Sequence, residues 1–216
     1  METRTRLKGE SLPGQAFLLA FDLRKEKLTH RSDLGRLLRA AALAELMMAG
    51  NLADESGKVR AVTTPAAPGP LQAALWEEIA NSPPRSWRRW IGKDRSQAFR
   101  LVRDELAAAK LIRVERRRAL LLFPAERITP RRPYLSRRLA ERVGRAVRGG
   151  RPVERLEPDV RVLAALAAAS RLGVVLPGRE WRRHKGRIEE LSVPVEPVAT
   201  ALRKSVEAAQ AASAAG

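Results

Sequence analysis

Two stretches of the chain are apolar on nearly every side of a helix. Residues 34–49, which are almost uninterrupted in apolar character from Leu37 to Met48, form the first, and residues 159–172 form the second. A helix without a polar face is normally buried. The pattern therefore predicts two central helices, the first of which can end at Gly50-Asn51.

Amphipathic segments surround these two stretches. Apolar residues recur at helical spacing in five further segments, 71–80, 95–109, 134–147, 179–191 and 196–214. The sequence therefore predicts a mainly α fold with central apolar helices ringed by amphipathic helices. We expect a single domain over residues 12–207, between a flexible N-terminal tail, 1–11, and an Ala/Ser-rich tail, 208–216.

Two short β-hairpins interrupt the helical pattern. The first is predicted over residues 52–62. In the second, strands at Leu111–Val114 and Leu120–Phe123 flank a basic turn, Glu115–Arg118. Each hairpin follows a helix, so a helix-then-hairpin unit is expected twice.

Composition narrows the class of protein. The 216 residues contain no cysteine, which excludes disulfides and cysteine metal sites. The apolar stretch Val160–Leu176 contains Arg161 and Arg171, whereas a transmembrane helix needs about 20 nearly uninterrupted apolar residues. With no apolar signal segment near the N-terminus, we expect a cytoplasmic protein, soluble or peripherally bound to a membrane.

The charge is strongly positive and unevenly distributed. The formal net charge is +18, and residues 85–151 contain 21 Lys or Arg residues against six Asp or Glu residues. Such a block indicates a polyanionic partner, either nucleic acid or an anionic membrane surface. The alternative is a solvated arginine-rich face without a partner.

Catalytic groups are scarce. The two histidines are His30 and His184, and the sequence has no glycine-rich phosphate loop and no Gly-x-Ser-x-Gly motif. His184 lies in a cationic run that would repel a metal ion. We expect no enzymatic activity, no cofactor and no metal.

Three arginines are candidate anion ligands. Arg100 and Arg103 lie three residues apart on one helix face and can form a fork for a phosphate. Pairing with Asp104 or with other acids on the surface is equally compatible with the pattern. Arg39 lies early in an apolar helix, where a cation opposes the helix dipole. It therefore needs an external acid or an anionic ligand, unless its side chain extends to solvent.

Two motifs resemble the Golgi phosphoprotein 3 family. LRAAALAEL at 38–46, followed by Gly50-Asn51-Leu52, is similar to the family pattern LRGxxLxELxxxGxL, and FRLVRDEL at 99–106 is similar to LRxVRERL. The order of the remaining elements agrees over roughly residues 12–207. The chain is identified as a divergent bacterial member of the family.

The resemblance implies a helical peripheral membrane protein that binds phosphatidylinositol 4-phosphate. A tryptophan and three arginines form the family's headgroup pocket; the arginines correspond to Arg39, Arg100 and Arg103. Aligned without a gap, the tryptophan position falls on His30, so the headgroup can be another phosphoinositide or an anionic bacterial lipid. The implied membrane contacts are Arg116, Arg117, Arg118, Leu120, Leu121, Leu122 and Phe123. A buried sheet strand is the alternative for the last four.

Nucleic-acid binding is the competing hypothesis. A helix at 95–109 followed by a basic hairpin at 111–123 has the outline of a winged helix. Trp87-Arg88-Arg89-Trp90 adds residues suited to base stacking and phosphate contact. The proline pair and the segment from Trp87 to Asp94 stand where a tight helix-turn is required, which favours lipid over nucleic acid.

Overall fold

The computed structural model describes residues 11–29, 31–119 and 123–214. For residues 31–32, 116–119 and 123–125 the backbone alone is considered. Within these ranges the chain is mainly helical, with small antiparallel sheets, as the sequence predicts.

Helices make up most of the described chain. The α-helices in chain order are α1 (Leu12–Leu19), α2 (Arg31–Met48), α3 (Pro70–Ala80), α4 (Trp87–Gly92), α5 (Arg95–Ala108), α6 (Pro133–Arg148), α7 (Pro158–Ala169), α8 (Gly178–Arg183), α9 (Lys185–Ser192) and α10 (Glu196–Ala214). Short 3-10 turns span Val153–Arg155 and Val193–Val195.

The strands form three separate antiparallel sheets. They are β1 (Phe21–Asp22), β2 (Lys27–Leu28), β3 (Leu52–Glu55), β4 (Lys58–Ala61), β5 (Arg85–Ser86), β6 (Ile112–Ala119) and β7 (Phe123–Pro130). β1 pairs with β2, β6 pairs with β7, and β4 lies between β3 and β5.

Helix α2 is the centre of the fold. Its residues from Leu37 to Ala44 are all buried, and it contacts α1, α3, α4, α5, α7 and α10. Gly50, with φ of 75°, ends it: the Gly50 amide donates to the Met47 carbonyl and the Asn51 amide to the Leu46 carbonyl. This is a Schellman C-cap, and it confirms the predicted end of the helix.

Helix α7 is the second buried helix. Every residue from Val162 to Ala167 is buried, and α7 packs against α1, α2, α6, α9 and α10. The apolar patterning therefore identified both central helices correctly, because a helix with no polar face can be accommodated only inside the bundle.

The predicted helix-then-hairpin unit occurs twice. Helix α2 leads into β3–β4, and α5 leads into β6–β7. The end of α5 repeats the cap of α2, with Lys110 at φ 57° and the Leu111 amide donating to the Leu106 carbonyl.

The second hairpin is longer than predicted, and the predicted basic turn is wrong. Glu115–Arg118 lies within β6, where Glu115 pairs with Arg127 and Arg118 with Pro124. Arginines can extend this strand because the ladder uses backbone groups, and a two-stranded ribbon does not have to bury both faces. The connecting residues 120–122 lie outside the described residues, so the predicted strand Leu120–Phe123 is confirmed only at Phe123, the first residue of β7.

Two smaller features also differ from the sequence prediction. Trp87–Gly92 forms helix α4, although no helix was predicted for this segment. The helix predicted over 179–191 breaks at His184 into α8 and α9. Helix α10 spans Glu196–Ala214, as predicted, and so includes most of the predicted Ala/Ser-rich tail. Residues 1–10 of the predicted N-terminal tail lie outside the described residues.

Candidate anion-binding site

Helix α5 holds two of the three candidate arginines. Its buried residues Ala98, Val102 and Leu106 face the bundle. The ring of Phe99 lies 5.5 Å from that of Phe17 in α1. Gly35 of α2 lets α5 approach closely, because a Cβ at position 35 would lie 2.4 Å from the carbonyl oxygen of Arg95 in α5. These contacts fix the orientation of α5 and therefore of its outer face.

The two arginines of α5 differ in their environment. Arg100 is exposed, and its guanidinium makes no hydrogen bond or ion pair with any residue in the described ranges. Arg103 is 14% exposed; its Nε lies 2.8 Å from Asp104 Oδ1 and its Nη1 lies 2.6 Å from Glu126 Oε2. The hydrogen bond to Asp104, followed by that to Glu126, raises the pKa of Arg103 against the opposing effect of burial. Pairing with Asp104, an alternative that the sequence left open, therefore applies to Arg103.

Arg39 is almost completely buried, at 2% exposure. Its Nε donates to the Trp90 carbonyl at 2.5 Å and its Nη2 to Glu78 Oε2 at 3.3 Å. Lys93 Nζ also lies 3.2 Å from Glu78. Burial lowers the pKa of Arg39, and the negative charge of Glu78 partly offsets that effect.

The external acid that Arg39 was expected to need is thus Glu78, and the alternative of extension to solvent is wrong. The argument from the helix dipole is also wrong, because α2 begins at Arg31 and places Arg39 in its third turn. The role of Arg39 as a headgroup ligand stays a prediction.

Several predicted site residues cannot be placed. His30 and Leu120–Leu122 lie outside the described residues, as do the side chains of Arg116–Arg118 and Phe123. Their predicted contacts with a headgroup or membrane stay predictions. The described parts of the site join through the Arg103–Glu126 pair, which connects α5 to the hairpin β6–β7.

The tryptophans suggested for base stacking are core residues. Trp87 is 3% exposed and Trp90 is 2% exposed. Trp87 Nε1 donates to Asp54 Oδ1, which ties α4 to β3. Neither ring is available to stack on a base, so this part of the nucleic-acid hypothesis is wrong.

One large cleft among the described residues is acidic. It encloses about 1380 Å³ between the C-terminal parts of α2 and α5 and the start of α7. No Lys or Arg is among its lining residues, and its acidic residues are Glu45, Asp104, Glu105, Glu157 and Asp159. A cleft of this charge is unsuited to a phosphate.

A smaller cavity of about 490 Å³ has the opposite character. It lies at the end of α6, and one acidic residue, Glu157, stands in its lining against five basic residues, Arg142, Arg145, Arg151, Arg155 and Arg187. The sequence reasoning missed this cluster. The spacing of arginines on both sides of Gly149-Gly150 is the signal that could have indicated it.

Two further features are absent from the described ranges. None of the helices in the described ranges is both long enough and apolar enough to cross a bilayer. The same ranges contain no group of three or more His, Asp or Glu residues that could hold a metal ion.

Comparison with known proteins decides the family. The family model described as Golgi phosphoprotein 3 (GPP34) matches residues 12–209. The chain belongs to the Golgi phosphoprotein 3 family. A search of curated proteins found no match. The Golgi phosphoprotein 3 family is not a known enzyme family, and membership suggests a phosphoinositide-associated function. The bacterial origin stays a prediction.

Proposed function

We propose that this Golgi phosphoprotein 3 family member is a cytoplasmic, peripheral membrane protein that binds an anionic phospholipid headgroup. The headgroup is phosphatidylinositol 4-phosphate or a bacterial equivalent. The observation that carries the proposal is the connection between α5 and the basic hairpin through Arg103 and Glu126, in a chain with a net charge of +18.

The headgroup site is centred on the outer face of α5. Arg100 offers an exposed guanidinium, and Arg103, one turn further along, can exchange a carboxylate partner for a phosphate. Arg39 contributes to this site only if a ligand also displaces Glu78. Arg100 is therefore the first contact, and Arg39 acts mainly by holding α2 against α4.

The hairpin provides a second contact with the membrane. Strand β6 contains Arg113 and Arg116–Arg118, and each basic residue near an anionic surface contributes about 1 kcal/mol. The base of the hairpin is held in the domain by Ile112 and Ile128, which are buried. Seven residue steps along β6 separate Ile112 from Ala119, the last residue of the strand, or about 23 Å. The segment Leu120–Phe123, which follows β6 in the sequence, is apolar and is therefore suited to the membrane interface.

Vesicle co-sedimentation tests this proposal. Two vesicle sets of equal net charge are compared, one containing phosphatidylinositol 4-phosphate and the other phosphatidylglycerol. Arg100→Ala is compared with Arg88→Ala, since both remove one exposed arginine. We expect headgroup-selective binding that Arg100→Ala weakens by about tenfold and Arg88→Ala leaves nearly unchanged. Equal binding to both vesicle sets, with equal loss in the two variants, would contradict a headgroup site.

Nucleic-acid binding is retained as the second candidate for one reason. Helix α4, a two-residue turn, helix α5 and the hairpin β6–β7 follow one another in the order of a winged helix. This order removes the objection that a helix-turn is missing before residue 95. Duplex DNA is therefore added as a competitor: displacement from both vesicle sets with equal efficiency would favour this candidate over the lipid.

A further inference from the structure

The cavity at the end of α6 is built from four segments. The last turns of α6, the connection 149–156, the start of α7 and helix α9 surround about 490 Å³. A volume of this size is within the range of small-ligand sites. It shares no residue with the proposed headgroup site on α5.

Two of its five arginines hold the walls together. Arg187 Nε donates to the Ala146 carbonyl at 3.3 Å, and its other groups donate to the Arg151 carbonyl and to Glu190 Oε2. Arg187 therefore joins α9 to the end of α6 and to the following loop. Arg142 of α6 is paired with Glu157 beside α7. These contacts hold the walls of the cavity in place in the folded domain.

The other three arginines do not join the walls of the cavity. Arg145, Arg151 and Arg155 are exposed, and their guanidinium groups make no hydrogen bond or ion pair within the described part of the chain. Arg145 lies in the last turn of α6, where the helix dipole favours a cation. That effect does not account for Arg151 and Arg155, which lie on the connecting loop.

The loop itself is held firmly enough to present these two side chains. Val153 is 3% exposed, and the Arg155 amide donates to the Pro152 carbonyl in a 3-10 turn. Like charges gathered around one cavity repel each other, and an anion within the cavity relieves that repulsion. Guanidinium groups suit phosphate in particular, because their paired N–H donors match its oxygens.

We propose that this cavity is a second anion site that binds a pyrophosphate or phosphomonoester group. The group belongs either to a soluble phosphate compound or to a phospholipid headgroup. Arg145, Arg151 and Arg155 contact the phosphate oxygens, while Arg142 and Arg187 position the walls. This inference is independent of the headgroup site centred on Arg100.

Isothermal titration of the full chain with pyrophosphate is the test. The variant Arg145→Gln/Arg155→Gln is compared with Arg137→Gln/Arg138→Gln, which removes the same charge from exposed positions elsewhere on α6. We expect saturable 1:1 binding that the first variant weakens by at least about tenfold and the second by no more than about twofold. Equal weakening in both variants, or no saturable binding by the unmodified chain, overturns the site. The replaced side chains have no partner within the described part of the chain. Both variants are therefore expected to unfold at the same urea concentration as the unmodified chain, which verifies that they are folded.

Two further arms identify the source of the phosphate and separate this site from the headgroup site. If pyrophosphate displaces the chain from phosphatidic acid vesicles, and if Arg145→Gln/Arg155→Gln no longer binds those vesicles, the phosphate belongs to a lipid headgroup. Pyrophosphate binding with unchanged vesicle binding in that variant indicates a soluble ligand. Arg100→Ala is expected to retain full pyrophosphate affinity; if it abolishes that affinity, the phosphate binds on α5 and the cavity assignment fails.

Discussion

Arg103 Nη1 lies 2.6 Å from Glu126 Oε2, and this ion pair joins the helix with the candidate headgroup arginines to the second strand of the basic hairpin. The two side chains are 14% and 23% exposed, so the pair is only partly screened by solvent. An anionic ligand that approaches Arg103 must compete with Glu126.

Because of this competition, replacing Glu126 and replacing Arg103 should have opposite effects on binding to anionic vesicles. Glu126→Gln removes the competing carboxylate, so binding to anionic vesicles is expected to strengthen by a few fold. Arg103→Gln removes a proposed phosphate ligand, so vesicle binding is expected to weaken by about tenfold. Each change costs about 1 kcal/mol of stability through loss of the pair. Co-sedimentation at fixed ionic strength measures both; a similar weakening in the two variants would show that the pair acts only by positioning the hairpin.

Replacement of Arg39 is expected to reduce stability. Arg39→Met leaves the Trp90 carbonyl without its donor and Glu78 with Lys93 as its remaining cation. The free energy of unfolding should fall by about 2–4 kcal/mol, because a buried partner is removed and the polar groups remain.

Urea unfolding measures this loss, with Arg89→Met as the control. Arg89 is exposed on α4, and its replacement should change stability by no more than about 0.5 kcal/mol. If Arg39→Met is as mild as the control but abolishes vesicle binding, Arg39 acts as a ligand and not as a structural residue.

Gly35 marks the closest approach of α2 and α5. In Gly35→Ala the new Cβ would lie 2.4 Å from the Arg95 carbonyl oxygen and 2.7 Å from its Cβ. Separation of the two helices should cost about 1–3 kcal/mol in thermal or urea unfolding. Gly186→Ala is the control, since its Cβ meets no atom within 4 Å and the change should alter stability by no more than about 0.5 kcal/mol. Equal effects at the two positions would argue against close packing at Gly35.

The indole of Trp87 is distinguished by a hydrogen bond. Its Nε1 donates to Asp54, whereas the buried Nε1 of Trp181 has no partner in the described part of the chain. Trp87→Phe should therefore destabilise the domain by about 1 kcal/mol more than Trp181→Phe. Both changes remove a similar volume, but only the first removes a hydrogen bond to a carboxylate, and exposed Asp54 keeps the Gly57 amide as a donor. Chemical denaturation followed by far-UV circular dichroism compares them, and a difference below about 0.5 kcal/mol would contradict the bond.

Local patterning determined the helices and the class of fold. The spacing of apolar residues along the chain shows whether a segment such as residues 159–172 has a polar face. The Gly50-Asn51 cap likewise depends only on residues within about one helical turn. The hairpin was misjudged because a run of arginines resembles a turn, although strand pairing depends on backbone groups that the side chains do not reveal.

The helical bundle, the positive charge and the candidate arginines can all be predicted from the sequence. Tertiary packing alone decided which of those charges are already paired. Glu78 is 39 residues from Arg39 and Glu126 is 23 residues from Arg103, so no helical spacing relates the partners. The arginine cavity likewise combines α6, a loop and α9. Hydrophobic periodicity is a property of neighbouring residues, whereas electrostatic pairing depends on distances in space that exist only after the helices have packed.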